Sequence, residues 1–539
     1  MQKKLARALW VATLGMSIGL AGCSSDKSDS KPAIDNHKKR LVGAKDSSKT
    51  DDSAPHREYK RKSIATATGA PMSPPVTGKP GKVGNTEQYK NYGVNPMVVT
   101  SKDRFSTFAI DVDTASYAIA RRKILAGTLP PSASVRVEEW VNYFKYNYAG
   151  PTDKKPFAVH MDGAPSPFTN GNHLVRVGVQ AKKLSKSERK KANLVFLVDV
   201  SGSMRSADKL GMAKRALRIL VNNLNDGDTV SLVTYAGSTR LVLPPTSVEH
   251  KAQIFNALQD LTAGGGTGMA SGIKLAYQQA AKTIAQNSVS RVIVLSDGDA
   301  NIGRVGHKDI LTMIKAQVDK GVALTTIGLG MGNYKDSRME QLANKGNGNY
   351  YYIDTLSQAK RVFQEQLGGT LQVVAKDVKI QVEFDPRYVS KYRLIGYENR
   401  KVADRDFRND KVDAGEIGAG HSVTAVYEVE LNKNVDKHTG KLGTVRIRAK
   451  KPDWTKAVET AYPLLERDLA RSFDSASKDF RFATAVMAMA EILRKSPHAK
   501  SWELDKVAQI AKAASDGSAE RLELMKLIEK TKPLKVAAR

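Results

Sequence analysis

The middle of the chain carries short runs that are apolar throughout, at residues 194–198, 230–234, 292–295, 323–327 and 350–353, separated by helix-length amphipathic stretches. A run that is apolar throughout predicts a strand buried on both faces, and helices between such strands predict a parallel sheet. Residues 239–243 follow a glycine turn and predict an antiparallel edge strand. Past Leu371 the pattern changes to short alternating strands at 378–384, 423–431 and 443–448. Alternation predicts one face packed and one face solvated, hence a β-sandwich, joined by the alternating strand 173–181. From Ser477 onward Phe480, Ala483, Met487, Ala490 and Leu493 recur at helical spacing; Pro497 ends that helix and two more follow. Its methionines read as core and not as a binding groove. Ahead of the parallel sheet, residues 106–124 predict a strand, a polar turn and a helix, and residues 135–146 a second helix, aromatic on one side.

These elements give an α/β fold class with a doubly wound, mostly parallel sheet at 191–370. A small α+β module (101–190) precedes it, and a β-rich sandwich domain (371–468) and a helical region (469–539) follow. Residues 23–100 are rich in Ser, Lys, Asp, Pro and Gly, with almost no aliphatic runs. Such a segment buries too little apolar surface to offset its chain entropy, and it predicts a disordered tether reaching on the order of 50 Å.

The formal net charge is +30 over 539 residues. Lys and Arg are spread through every segment without a basic stripe interleaved with aromatics, so nucleic acid is not an expected partner and a basic surface in an anionic envelope is. The single cysteine, Cys23, excludes an internal disulfide. It closes Leu20-Ala21-Gly22-Cys23, after a basic start (Lys3, Lys4, Arg7) and an apolar run over 8–20. That run is too short to span a bilayer as a stable helix. The arrangement resembles the bacterial lipobox, which implies a signal peptide at 1–22 and an acylated Cys23 as mature N-terminus. Several acyl chains exceed what stable anchoring needs. Ser24, where an Asp would signal otherwise, implies the outer membrane.

The chemistry sits at the ends of the apolar strands. Asp199-Val-Ser201-Gly-Ser203 follows the first, and Asp297, in Leu295-Ser-Asp-Gly298, ends a later one. In strand order 3-2-1-4-5-6 these strands are neighbours where the winding reverses, which is where ligands bind. Thr267, within Gly264-Gly-Gly-Thr-Gly268, adds a third hydroxyl from a glycine loop. Two carboxylates and three hydroxyls, with no His or Cys, suit Mg²⁺ or Mn²⁺ completed by water and argue against zinc. Asp-x-Ser-x-Ser, a later Thr in a Gly loop and a later Ser-Asp-Gly resemble the metal-ion-dependent adhesion site (MIDAS) of von Willebrand factor type A (VWA) domains, a Rossmann-like fold. The resemblance implies that Ser201, Ser203 and often Thr267 touch the ion, that Asp199 and Asp297 hold its waters, and that the sixth position accepts a partner's Asp or Glu carboxylate. The segments 108–117 and 135–144 and the helical tail further resemble the YfbK type of VWA lipoprotein.

No enzyme is expected. Gly15-Met-Ser17-Ile-Gly19 matches a hydrolase elbow but lies in the signal segment; Gly266-Thr-Gly268 follows a helix instead of a strand. Metal-dependent hydrolysis is set aside because no basic side chain is expected beside the ion to act as general base. Asp111, Asp113 and Ser116 are expected to cap the helix that follows them, with a second ion site as the alternative. The leading expectation is a membrane-tethered, metal-dependent protein-binding module. The alternative is a structural envelope protein sitting on anionic peptidoglycan or lipid, its metal only stabilising the fold.

Overall fold

The computed structural model describes residues 86–537, except 153–154, 186, 267, 286, 299–305, 367–368, 370, 433–439 and 453–454. The expected signal peptide, Cys23, most of the expected tether and Thr267 lie outside the described residues.

The central sheet has six strands in spatial order Tyr350–Tyr352, Val322–Gly328, Ser288–Ser296, Lys191–Asp199, Thr229–Tyr235 and Thr239–Ser247. All pair in parallel except the last, which returns antiparallel on Thr229–Tyr235 through the turn at Gly237. This is the expected doubly wound order. Alternate residues of each strand serve opposite faces. Leu194, Phe196 and Val198 meet helices Leu210–Asn222 and Lys251–Gln259, while Val195 and Leu197 meet Met269–Lys282 and His307–Val318. Both faces are therefore dry, which is why these strands show no polar alternation.

Two antiparallel sheets form the sandwich. One runs Val98–Val99, Val389–Ile395, Ser422–Leu431, Asn172–Ala181, Phe157–Pro165; the other runs Gly415–Gly418, Val373–Phe384, Lys441–Lys450, Val458–Leu465, with Phe105–Ala109 also paired to Val373–Phe384. Val175, Val177 and Val179 from the first sheet meet Ile380, Val382, Phe384 and Val445 from the second. The strand expected at 173 does join the sandwich, pairing Ser422–Leu431 in register (Val423 opposite Val179).

The segment before the central sheet is not a separate module. Its strands complete both sandwich sheets, and its helix Val137–Tyr143 packs with Lys478–Leu493 of the C-terminal helices over the outer face of the first sheet. Its other helix, Ala115–Leu125, lies with Tyr334, Met339 and Tyr350 at the edge of the central sheet. Met487 and Met489 are fully buried, in the core as expected.

Order begins well before residue 100. Thr86 and Gln88 donate backbone N–H groups to Gly332 and Tyr334, Glu87 pairs with Lys123, and Asn95 Nδ2 bonds Leu394 and Gly396 carbonyls at 2.9 and 2.8 Å. These residues bury little apolar surface. They are held by hydrogen bonds to a surface formed elsewhere, and composition carries no record of that.

Buried ion pairs tie the parts together: Arg121 with Asp354 and Glu523, Arg136 with Asp336, Arg400 with Asp111 and Asp113, and Arg393 with Glu428 and Glu491. The capping expectation for Asp111, Asp113 and Ser116 fails here. The two aspartates hold Arg400, and Asp113 also accepts the Tyr350 N–H at 2.7 Å. The first helical turn is capped from outside: Ser116 N–H donates to Glu139 Oε2 at 2.8 Å, and Ser116 Oγ donates to the Ser134 carbonyl. A cap supplied from a distant residue leaves no local sequence pattern.

Candidate functional site

Strand Lys191–Asp199 delivers Asp199 to the C-terminal edge of the central sheet, opposite Tyr235 on one side and one residue past the Val198–Leu295 pair on the other. The chain then turns sharply, and Ser201 N–H donates to Asp199 Oδ1 at 2.9 Å. Asp199 Oδ2 accepts Tyr235 OH at 3.1 Å and Ser296 Oγ at 3.0 Å. The Asp199 carboxylate is fully buried, and burial, with Asp297 beside it, raises its pKa above the usual range. A cation placed here relieves both penalties.

The turn brings Ser201 Oγ to 3.1 Å from Ser203 Oγ. Adjacent oxygen ligands at right angles on an ion lie about 2.9 Å apart when the bonds are about 2.0–2.1 Å and about 3.3 Å or more apart for the longer bonds of Ca²⁺. The two hydroxyls, in hydrogen-bond contact with each other, are spaced as neighbouring oxygen ligands of a divalent ion are. Ser203 is exposed and Ser201 buried, so the pair faces outward from an anchored base.

The glycine loop packs on this turn. Gly202 N–H donates to the Gly265 carbonyl at 3.0 Å, and Gly264 N–H to the Val200 carbonyl at 2.7 Å. Gly265 takes φ +79°, a left-handed value that a side chain makes costly. The loop carrying Thr267 is thus brought against Ser201 and Gly202, with Thr267 itself outside the described residues. Asp297 follows directly after Ser296 and is fully buried. The Gly of Ser-Asp-Gly has its own reason: Gly298 sits at φ +76°, and a Cβ there would come within 2.6 Å of Lys335 N.

Sequence reasoning missed four side chains. Tyr235 and Ser296 hold Asp199, as described above. Asp297 Oδ2 accepts Lys209 Nζ at 3.0 Å and Asn333 Nδ2 at 3.1 Å. Lys209 is 8% exposed; Nζ also donates to Asn333 Oδ1 at 3.0 Å, and its methylenes fill the space left by Gly330. The expectation that no basic side chain stands beside the site is therefore corrected. An ammonium spent on a carboxylate is nevertheless a counter-charge and not a free base. The available signal was positional: Tyr235 ends a parallel neighbour strand, and Lys209 opens a helix at that same sheet edge.

A second acidic group, Asp377, Asp413 and Glu416, lies apart on the sandwich side. Lys450 Nζ holds Asp377 at 2.7 Å and Lys315 Nζ holds Asp413 at 3.4 Å, so two of its charges are already met. Among the described residues, no helix is long and apolar enough to cross a membrane.

The family model of the von Willebrand factor type A domain matches residues 193–365, which spans the central sheet and both serines and aspartates of the site. A model described as von Willebrand factor matches 83–176, and one described as uncharacterized protein YfbK, C-terminal, matches 369–534. The uncharacterized protein YfbK of Escherichia coli (strain K12) is 39% identical over 469 residues, covering 82% of this chain and 81% of that protein. The uncharacterized protein sll0103 of Synechocystis sp. is 27% identical over 225 residues, 42% of this chain and 51% of that one. A solved von Willebrand factor type A structure from Catenulispora acidiphila aligns at TM-score 0.43 and 16% identity, covering 71% of this chain and 91% of that one. The three models follow one another along the folded chain and the YfbK match spans most of it: the protein belongs to the YfbK family of VWA-domain proteins.

Proposed function

We propose that this protein is a lipid-anchored, non-enzymatic binding module that captures an acidic side chain of a protein partner through a divalent metal ion. The ion, Mg²⁺ or Mn²⁺, is held by Ser201, Ser203 and Thr267, with Asp199 and Asp297 behind. The observation that carries the reading is the Ser201–Ser203 hydroxyl pair at 3.1 Å beside the buried Asp199. Neutral hydroxyls around the ion leave most of its charge uncompensated, so an outside carboxylate is attracted to it. Within this reading Asp199 and Asp297 act one layer out, and Tyr235, Ser296 and Ser201 N–H fix the Asp199 carboxylate so that its charge is aimed and not mobile.

The test is capture of envelope proteins by the full chain in Mg²⁺ and again after chelation. Partners retained in Mg²⁺ and lost with chelator support the reading. The same proteins retained in both would favour the alternative of a basic surface resting on anionic envelope material, to which the net charge of +30 gives some weight.

Anchoring belongs to the same proposal, with the lipobox at Cys23 placing the protein on a membrane of the envelope, the outer one by the residue after it. Cys23→Ser should release the protein from the membrane fraction into the soluble one, with altered mobility of the mature band. Unchanged fractionation and mobility would refute the anchor.

A further inference from the structure

At the opposite edge of the central sheet, where strand Ser288–Ser296 begins, a cavity of about 460 Å³ opens between the sheet and the sandwich. Arg291 lines it, five positions down the sheet from the metal site: its register partner is Leu194, roughly 16 Å from Asp199 at about 3.3 Å per residue.

Arg291 is only 2% exposed, and its Nη1 donates to Thr325 Oγ1 at 2.7 Å while Nε has no partner. Among the described residues seven other arginines are buried, at 0–8% exposed: Arg121, Arg136, Arg176, Arg361, Arg393, Arg494 and Arg521. Each of those has a carboxylate within 4 Å. Arg291 has none. Burial pulls its pKa down to about 10, the mark of a cation whose desolvation is not repaid. An unpaired buried guanidinium costs several kcal/mol, and a bound counter-charge is the ordinary way to remove that cost.

The rest of the lining suits an anion. Lys190 and Lys376 border the cavity. The one carboxyl there, Glu416, is pushed up to about 8 by burial and by Asp413 and Asp377, against the opposing pull of Lys376 and Arg291, a net shift that favours its neutral form. Its Oε1 and the Asn347 Oδ1, also on the lining, have no hydrogen-bond partner. The polar groups facing this space thus include a cation without a carboxylate against it, two lysines at the rim and a carboxyl whose neutral form donates, beside the Asn347 amide oxygen, which accepts.

We propose that this cavity is a binding site for a small oxyanion, a carboxylate or a phosphate, which pairs with Arg291. The site is separate from the metal-dependent reading and stands whether or not that reading does.

The experiment is calorimetric titration of the full chain in detergent, metal removed beforehand so that added carboxylate has no ion to coordinate. Inorganic phosphate and acetate are titrated in separate arms, and the arm that saturates identifies the source chemistry. Arg291→Met should weaken binding at least tenfold, and Lys376→Ala severalfold. A chain that takes up neither anion overturns the proposal and leaves a water-filled crevice. So does binding that both variants leave unchanged. Should Arg291→Met fail to fold, Lys376→Ala decides: weakened binding supports the site and unchanged binding rejects it.

Discussion

Asp336→Ala should lower the unfolding free energy by about 3–5 kcal/mol, read as an earlier urea midpoint at unchanged slope. Asp336 is fully buried at the start of helix Asp336–Lys345 and receives Arg136 through two bonds, Nη1 at 2.6 Å and Nη2 at 3.1 Å. It also accepts Tyr350 OH at 2.6 Å. Removing it leaves the buried guanidinium with Glu139 alone, a loss of charge balance that neither solvent nor rotation can repair. The pair joins the segment before Val137–Tyr143 to the VWA domain, so the effect should reach both. Replacing all three charged partners at once, Arg136→Met with Asp336→Leu and Glu139→Gln, should recover much of the loss, because no uncompensated charge then remains. A loss below about 1 kcal/mol for Asp336→Ala, the size of an exposed pair, would contradict this account.

Lys209→Met should bind Mg²⁺ at least tenfold more tightly than the wild type. Lys209 Nζ rests on the same Asp297 oxygen that receives Asn333. A divalent ion entering beside that carboxylate meets an ammonium already in place. Near a protein surface two unit charges 4 Å apart interact by about 4 kcal/mol, and tenfold in affinity needs only about 1.4 kcal/mol of it. The metal-free variant should also be less stable than the metal-free wild type, since Asp297 then keeps its charge without the lysine, and added Mg²⁺ should restore more stability than it adds to the wild type. Unchanged Mg²⁺ affinity in titration calorimetry would show that Lys209 supports Asp297 without competing with the ion.

The central sheet was legible because its signal is local. Strands such as residues 194–198 and 292–295 are dry on both faces, so no polar residue interrupts them, and the reversal of winding between them follows from chain order. Asp199, Ser201, Ser203 and Asp297 were legible because each sits at or next to a strand end, and strand ends can be counted. The remainder depends on contacts between distant residues. Phe157–Pro165 pairs Asn172–Ala181 and passes below notice because its burial is patchy, with polar His160 and Asp162 in the middle. Residues 86–100 look like tether because hydrogen bonds hold them where apolar burial does not. Lys209 was invisible for the same reason: a lysine at a helix start reads as solvated until the Gly330 hollow that houses its stem is placed beside it. Glu139, which caps the Ser116 helix from 23 residues away, is a further case.

The most direct test of the central claim is thermal unfolding of the wild type and of Asp199→Ala, each with saturating Mg²⁺ and with chelator. An ion that binds only the native state adds RT ln(1 + [L]/Kd), about 2.7 kcal/mol at a hundred times Kd. The account predicts a higher melting temperature with Mg²⁺ in the wild type and no difference between the two conditions in Asp199→Ala. Equal melting temperatures with metal and with chelator in the wild type would contradict it.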